Sequence, residues 1–126
     1  MTARRQDAGR RGEELAARYL EADGYRVVGR NYRCRLGEID LVAERDQELV
    51  FVEVRTKRQP CMVYPEETVT WAKAARLVRL AQHYLVETGQ EERPWRVDLI
   101  AVELGERDRP VRMERFENAT SGVVSS

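Results

Sequence analysis

Apolar residues recur at three- and four-residue intervals in two stretches of this chain, and in short β-branched or alternating runs elsewhere. Between Ala8 and Asp23, the positions Ala8, Gly12, Leu15, Ala16, Tyr19 and Leu20 share one helical face, and Gly24 follows as a stop. A second helix is predicted from about Thr70 to Thr88. Ala74, Leu77, Val78, Ala81, Tyr84 and Leu85 form its inner face, and Gly89 ends it. The segment YRVVGRNYRC gives a strand over Tyr25 to Val28 that continues past Gly29 with a bend. GEIDLVAE, LVFVEVR and PWRVDLIAVEL give three more strands, and PVRMERFE offers a short fifth. RDQE is the turn between the second and third strands, and residues 57–67, with Pro60 and Pro65, form a loop. The order α-β-β-β-α-β, with a further short strand, predicts a layered α/β domain: a central mixed sheet flanked by helices. One domain is expected over residues 1–119, with a frayed tail at 120–126.

Composition narrows the function classes. The chain has 126 residues, enough for one core, and 35% of them are charged, above the ~25% of an average domain. Formal net charge is zero, so no global field draws the protein to nucleic acid or membrane, and any such binding must come from a local patch. The start, MTARRQDAGRRGEE, is charged with no apolar run behind it, and no apolar stretch approaches the ~20 residues of a membrane helix. A cytoplasmic protein is expected, with no membrane partner. Cys34 and Cys61 lack CxxC spacing and read as free thiols. His83 is the only histidine, and it sits within the second helical pattern, so Ser-His-Asp and Cys-His chemistry are set aside.

The second and third strands carry charge within their length. By alternation, Ile39, Leu41 and Ala43 share one face, and Glu38, Asp40 and Val42 the other. Val50, Val52 and Val54 share one face, and Leu49, Phe51, Glu53 and Arg55 the other. An antiparallel hairpin with one wet face explains most of this. Against that reading, Val42, Leu49 and Phe51 lie on the charged face, and helices are available to cover both sides. Covered charges are costly unless paired or bound to metal. Two registers remain open. A turn centred on Asp46-Gln47 sets Asp40 opposite Glu53 and Glu38 opposite Arg55. The two facing carboxylates then have β-carbons roughly 5 Å apart, which a hard divalent cation would relieve. A turn centred on Gln47-Glu48 sets Asp40 opposite Arg55 and Glu38 opposite Lys57, in plain salt bridges.

GEID followed about a dozen residues on by VEV and a basic residue resembles the PD-(D/E)XK nuclease superfamily. More closely, GRRGEELAARYLEADGYRVVGRNYRCRLGEIDLVA with LVFVEVRTK resembles the YraN-like family of uncharacterised bacterial proteins, related in pattern to archaeal Holliday junction resolvases. The resemblance runs from Gly9 to about Val102, through VTWAKAARLVRLAQHYL and WRVDLIAV. It implies a restriction-endonuclease-like fold and phosphodiester hydrolysis assisted by Mg²⁺ or Mn²⁺. It further implies that Asp40 and Glu53 bind the catalytic metal, that Val54 lends a backbone carbonyl, and that Glu13 on the first helix completes the site. Glu38 belongs to the signature without an assigned role. The family's usual lysine is replaced by Arg55, with Lys57 two residues on along the same face. Arginine stays charged and cannot act as a base, but it can hold a phosphate oxygen.

Basic residues bracket the acidic positions. Arg30, Tyr32, Arg33 and Arg35 precede them; Arg55, Lys57 and Arg58 follow; Arg4, Arg5, Arg10 and Arg11 lead into the first helix near Glu13; Lys73 starts the second. This pattern suits phosphate contacts to DNA on either side of a metal site, with Tyr32 available to stack on a base. Branched or damaged DNA is the expected substrate class, and a homodimer is expected if symmetric junctions are cut. The alternative is a catalytically inactive nuclease-fold module that binds nucleic acid or a protein partner.

Overall fold

The computed structural model of the protein describes residues 3–120, with side chains from Gln6 onward. The elements follow the predicted order: α1 (Ala3–Ala22), β1 (Arg26–Cys34), β2 (Gly37–Arg45), β3 (Glu48–Arg58), α2 (Trp71–Glu87), β4 (Trp95–Leu104) and β5 (Pro110–Phe116). Single 3-10 turns sit at Pro65–Thr68 and Glu106–Asp108. The strands lie in chain order across one sheet. β1, β2 and β3 pair antiparallel, β3 and β4 parallel, and β4 and β5 antiparallel. A mixed sheet reached in this order fits the restriction-endonuclease-like α/β fold. The bend expected at Gly29 is a register shift between Val27 and Gly29. Of the tail expected at 120–126, residues 121–126 lie outside the described residues, whereas Thr120 is buried. Among the described residues no helix is long and apolar enough to cross a membrane. Cys34 and Cys61 are free thiols.

The central strands of the sheet are covered on both faces. Ala16, Ala17 and Leu20 of α1 pack on Leu41, Ala43, Val50, Val52, Ile100 and Val102. Leu77, Leu80, Ala81 and Leu85 of α2 pack on Val42, Leu49, Phe51 and Val97. Phe51 also meets Tyr84 and Trp95 edge to face, with centroids 5.4 and 5.9 Å apart. Each such side chain is worth about 1.5–3 kcal/mol in burial. The middle of the hairpin therefore has no wet face, and its charges are part-buried at the end where the cover stops. α1 approaches β3 very closely: a Cβ built on Gly12 would lie 1.8 Å from the Thr56 hydroxyl oxygen.

Asp46 and Gln47 form the β2–β3 turn, with φ of 51° and 76°. Positive φ at both central residues is the type I′ geometry of a two-residue hairpin. Arg45 pairs with Glu48 and Leu41 with Val52. Continued by one residue, this register sets Asp40 opposite Glu53, the first of the two alternatives.

One expectation is overturned. Ile39 does not share a face with Leu41 and Ala43. It packs in the α2 layer with Val42, whereas Leu41 and Ala43 pack in the α1 layer. The alternation inverts at Asp40. Opposite it on β1, Asn31 has φ 52° and drops out of the ladder between Arg30 and Tyr32. Glu38 therefore no longer shares a face with Asp40 and Val42.

A second set of charges is buried on β4. Asp98 is fully buried and accepts from Arg96 (2.9 Å), Arg115 (3.1 Å) and the Asn118 amide (2.9 Å). Both guanidiniums also donate to the Tyr25 hydroxyl at 2.8 Å. Arg45 and Arg115 stack against the Tyr25 ring at 4.2 and 4.9 Å.

Candidate active site

Asp40 stands where β2 and β3 part. Leu41↔Val52 is their last paired rung, and the next amide on that edge, Val54 N–H, donates to Asp40 Oδ2 at 2.8 Å. The N–H and C=O of one strand residue point the same way, so the Val54 carbonyl also looks toward this gap. Glu53 lies across from Asp40 with its side chain largely covered. Burial pushes the Asp40 carboxyl up to about 8; the Glu53 charge adds to this, Glu13 and Glu38 contribute, and the Val54 amide opposes it. Glu53 is also raised by burial, against the pull of Arg55, a hydrogen bond from Asp40, and Lys73. Burial and the facing Glu53 charge thus both favour the protonated form of Asp40.

Arg55 lies beside Glu53, with Nε 3.4 Å from Oε2. That nitrogen is buried and makes no hydrogen bond. Neither the Glu38–Arg55 nor the Asp40–Arg55 ion pair forms among the described residues. Glu38 instead meets Arg33 at 3.5 Å. The Asn31 amide spans the two remaining acids, donating to Glu38 at 2.8 Å and to Glu13 at 3.2 Å. The left-handed backbone at Asn31 presents this amide, a conformation asparagine tolerates better than most residues. Asn31 was not picked out from the sequence. Its position in RNYRC beside the acidic signature was the available signal.

Glu13, Asp40, Glu53 and Arg55 line an open cleft of about 960 Å³, whereas Glu38 and Asn31 lie outside its lining. Ala8, Gly9 and Glu13 of α1 form one wall, Asp40 and residues 53–58 the floor, and residues 60–63 with Pro65 and Thr68 the far wall. The far wall is clamped by Arg112, which holds Glu66 and Glu103 at 2.7 Å each, while Gln59 donates to Glu103 at 2.9 Å. Lys57 reaches the cleft and has no ion pair among the described residues. Among those residues no three His, Cys, Asp or Glu side chains are arranged to hold a metal ion as they stand. Asp40 and Glu53 face each other, and Glu13 and Glu38 turn to Asn31.

The model of the uncharacterised protein family UPF0102 matches residues 12–102, which span Glu13, the hairpin, α2 and most of β4. The chain belongs to UPF0102. It is 44% identical to a UPF0102 protein of Roseiflexus castenholzii over 94% of this chain and 97% of the relative. It is likewise 44% identical to one of Moorella thermoacetica, over 94% and 99%. UPF0102 protein STH1475 of Symbiobacterium thermophilum is 48% identical over 88% and 93%. The YraN-like resemblance is borne out, and membership agrees with the nuclease-superfamily pattern.

In this UPF0102 chain most of the basic residues picked out from the sequence are already occupied. Arg10 pairs with Asp7 at 2.7 Å, and Arg30 with Glu14 at 3.0 Å. Arg11 donates to the Asp108 carbonyl at 3.1 Å, and Arg58 grips the Asp108 carboxylate at 2.8 and 3.1 Å. The side chains of Arg4 and Arg5 lie outside the described residues. Tyr32 lies away from the cleft: its ring packs edge-on to Tyr84, and its hydroxyl meets His83 Nδ1 and Glu87 at 2.7 Å each. Arg35 is exposed. Lys73 donates to the Thr68 carbonyl at 3.3 Å, on the cleft wall, and its charge reaches Glu53.

Proposed function

We propose that this UPF0102 protein is a Mg²⁺- or Mn²⁺-dependent endonuclease that hydrolyses phosphodiester bonds, acting on branched or damaged DNA. The observation that supports this most is the meeting of Asp40 and Glu53. Two part-buried carboxylates face each other in an open cleft, with Arg55 beside Glu53 and Lys73 near it. Such a pair is destabilising by itself and suits a hard cation. Mg²⁺ is held by one or two carboxylates with waters and substrate phosphate, so two carboxylates and the Val54 carbonyl are the right donors in kind and number. The bound cation would polarise the phosphoryl oxygen and acidify a water. Asp40, fixed by the Val54 amide, and Glu53 would hold it. Arg55, whose Nε has no hydrogen-bond partner, would bind a phosphate oxygen and offset the charge that builds up in the transition state. Lys57 would place a second positive charge beside the leaving strand. Glu13 would orient water from the α1 wall. A symmetric junction would need two copies of the chain, one per cut strand.

The decisive experiment offers labelled single strand, duplex, flap and four-way junction with Mg²⁺, Mn²⁺ or EDTA, beside Asp40→Asn and Glu53→Gln. Metal-dependent cutting lost in both variants supports the proposal. Cutting that survives in Asp40→Asn refutes it. The second reading, a binding module without catalysis, is favoured by Arg55 itself, which leans on Glu53 where the superfamily carries lysine. Salt-sensitive binding with no cleavage under any metal would select it.

A further inference from the structure

Cations that already have acidic partners contribute little to binding a phosphate chain, because each contact must first break an ion pair. Arg10, Arg18 and Arg30, on or against α1, pair with Asp7 or Glu14. The outer side of α2 differs. Lys73, Arg76 and Arg79 follow one another at i, i+3 and i+6, so they form a slanted row on the helix surface. All three are exposed, and none has an acidic partner at ion-pair distance among the described residues. The row begins at the cleft, since Lys73 touches the Thr68 carbonyl on its wall. Arg76 lies across the β1–β2 turn, its Cδ 3.4 Å from where a Gly37 Cβ would stand, and the same turn carries exposed Arg35, which has no ion pair among the described residues. The row covers about 9 Å of helix axis. With one phosphate per 3.4 Å of duplex axis on each strand, that matches two to three successive phosphates.

We infer that a polynucleotide backbone leaves the cleft across the outer face of α2, held by Lys73, Arg76, Arg79 and Arg35, and not across α1. This rests on the reading of the cleft as a phosphodiesterase site and adds the path of the substrate. Arg76 and Arg79 were not among the residues picked out from sequence.

The test is fluorescence anisotropy with a labelled forked DNA in EDTA over a salt series. It compares the wild type, Arg76→Gln/Arg79→Gln, and a control with the same charge loss, Arg18→Gln/Arg26→Gln. Melting curves confirm that all three are folded. The α2 variant is expected to bind roughly tenfold or more weakly, with a log–log salt slope lowered by about two, while the control matches wild type. Equal binding by the α2 variant, an equal loss in the control, or no binding by wild type overturns the path. A parallel cleavage assay with Mn²⁺ separates the two claims. Asp40-dependent cutting with an unaffected α2 variant leaves the active site standing and removes the path. Binding through α2 with no cutting leaves the path standing and removes the nuclease reading.

Discussion

Two aspartates on one sheet, Asp98 buried and Asp40 part-buried, show opposite solutions to the same problem. Asp98 on β4 is fully enclosed and surrounded by Arg96, Arg115 and the Asn118 amide, with Tyr25 taking up the spare donors. Asp40 on β2 has one amide, and its nearest charged neighbour is another carboxylate. The first arrangement closes on itself and leaves nothing for a ligand. The second sets two carboxyls against each other at the floor of a cleft, with Arg55 beside Glu53. Covered charge thus takes two forms here: the Asp98 cluster ties β4 to its neighbours, and the Asp40–Glu53 pair faces a cleft.

That contrast can be broken experimentally. The largest effect is expected at the cleft. Asp40→Asn or Glu53→Gln should cut metal-dependent cleavage beyond the roughly 10- to 100-fold that loss of an outer-shell partner costs, with the fold intact by circular dichroism. Asp98→Asn should do the reverse, destabilising by about 1.5–3 kcal/mol in urea melts, because three donors lose a buried charged acceptor while Arg96 keeps Glu48 and Arg115 keeps Asp23. If Asp98→Asn melts like wild type, the division between scaffold and site is wrong. Gly12→Ala should cost about 1–3 kcal/mol by driving α1 off Thr56, measured the same way, with partial recovery in Gly12→Ala/Thr56→Ala. The subtlest test is pH. Asp40 rises from 3.8 to about 8 in the folded state, so the folded chain holds this proton more tightly than the unfolded chain. Between about pH 4 and 8 the metal-free protein should therefore lose stability as pH rises. Its melting temperature should fall by several degrees over that window, flatten in Asp40→Asn, and recover at pH 8 on adding Mg²⁺ or Mn²⁺.

The element order and most of each helix face are plain from hydrophobic period, although Tyr19, expected on the inner face of α1, is exposed, and the buried Ala17 and Leu80 fall outside the expected faces. The hairpin register is not legible in the sequence. Type I′ turns are announced by Asn-Gly or Asp-Gly, and Asp46-Gln47 lacks the glycine. The inversion at Asp40 is hidden for a different reason: it goes with a contact to Val54, fourteen residues away, and with the left-handed backbone at Asn31 on another strand. Basic clusters are visible in RNYRCR and RTKR. Which members are free depends on acids from distant elements, such as Asp108 for Arg58 and Glu14 for Arg30. Helical spacing could have exposed the α2 row, whereas the Asp98 network needs β4, β5 and Tyr25 assembled.

The hairpin tip carries one last consequence. Asp46 and Gln47 are exposed and touch no part of the cleft, the kind of loop where insertions and deletions are ordinarily harmless. Here the two-residue length is what sets Asp40 against Glu53. One inserted residue would slide every rung and exchange the faces of one strand. The tip therefore acts as a gauge for the floor of the cleft: among UPF0102 chains its length should vary far less than its composition, and lineages that lengthen it should also have lost one of the two carboxylates.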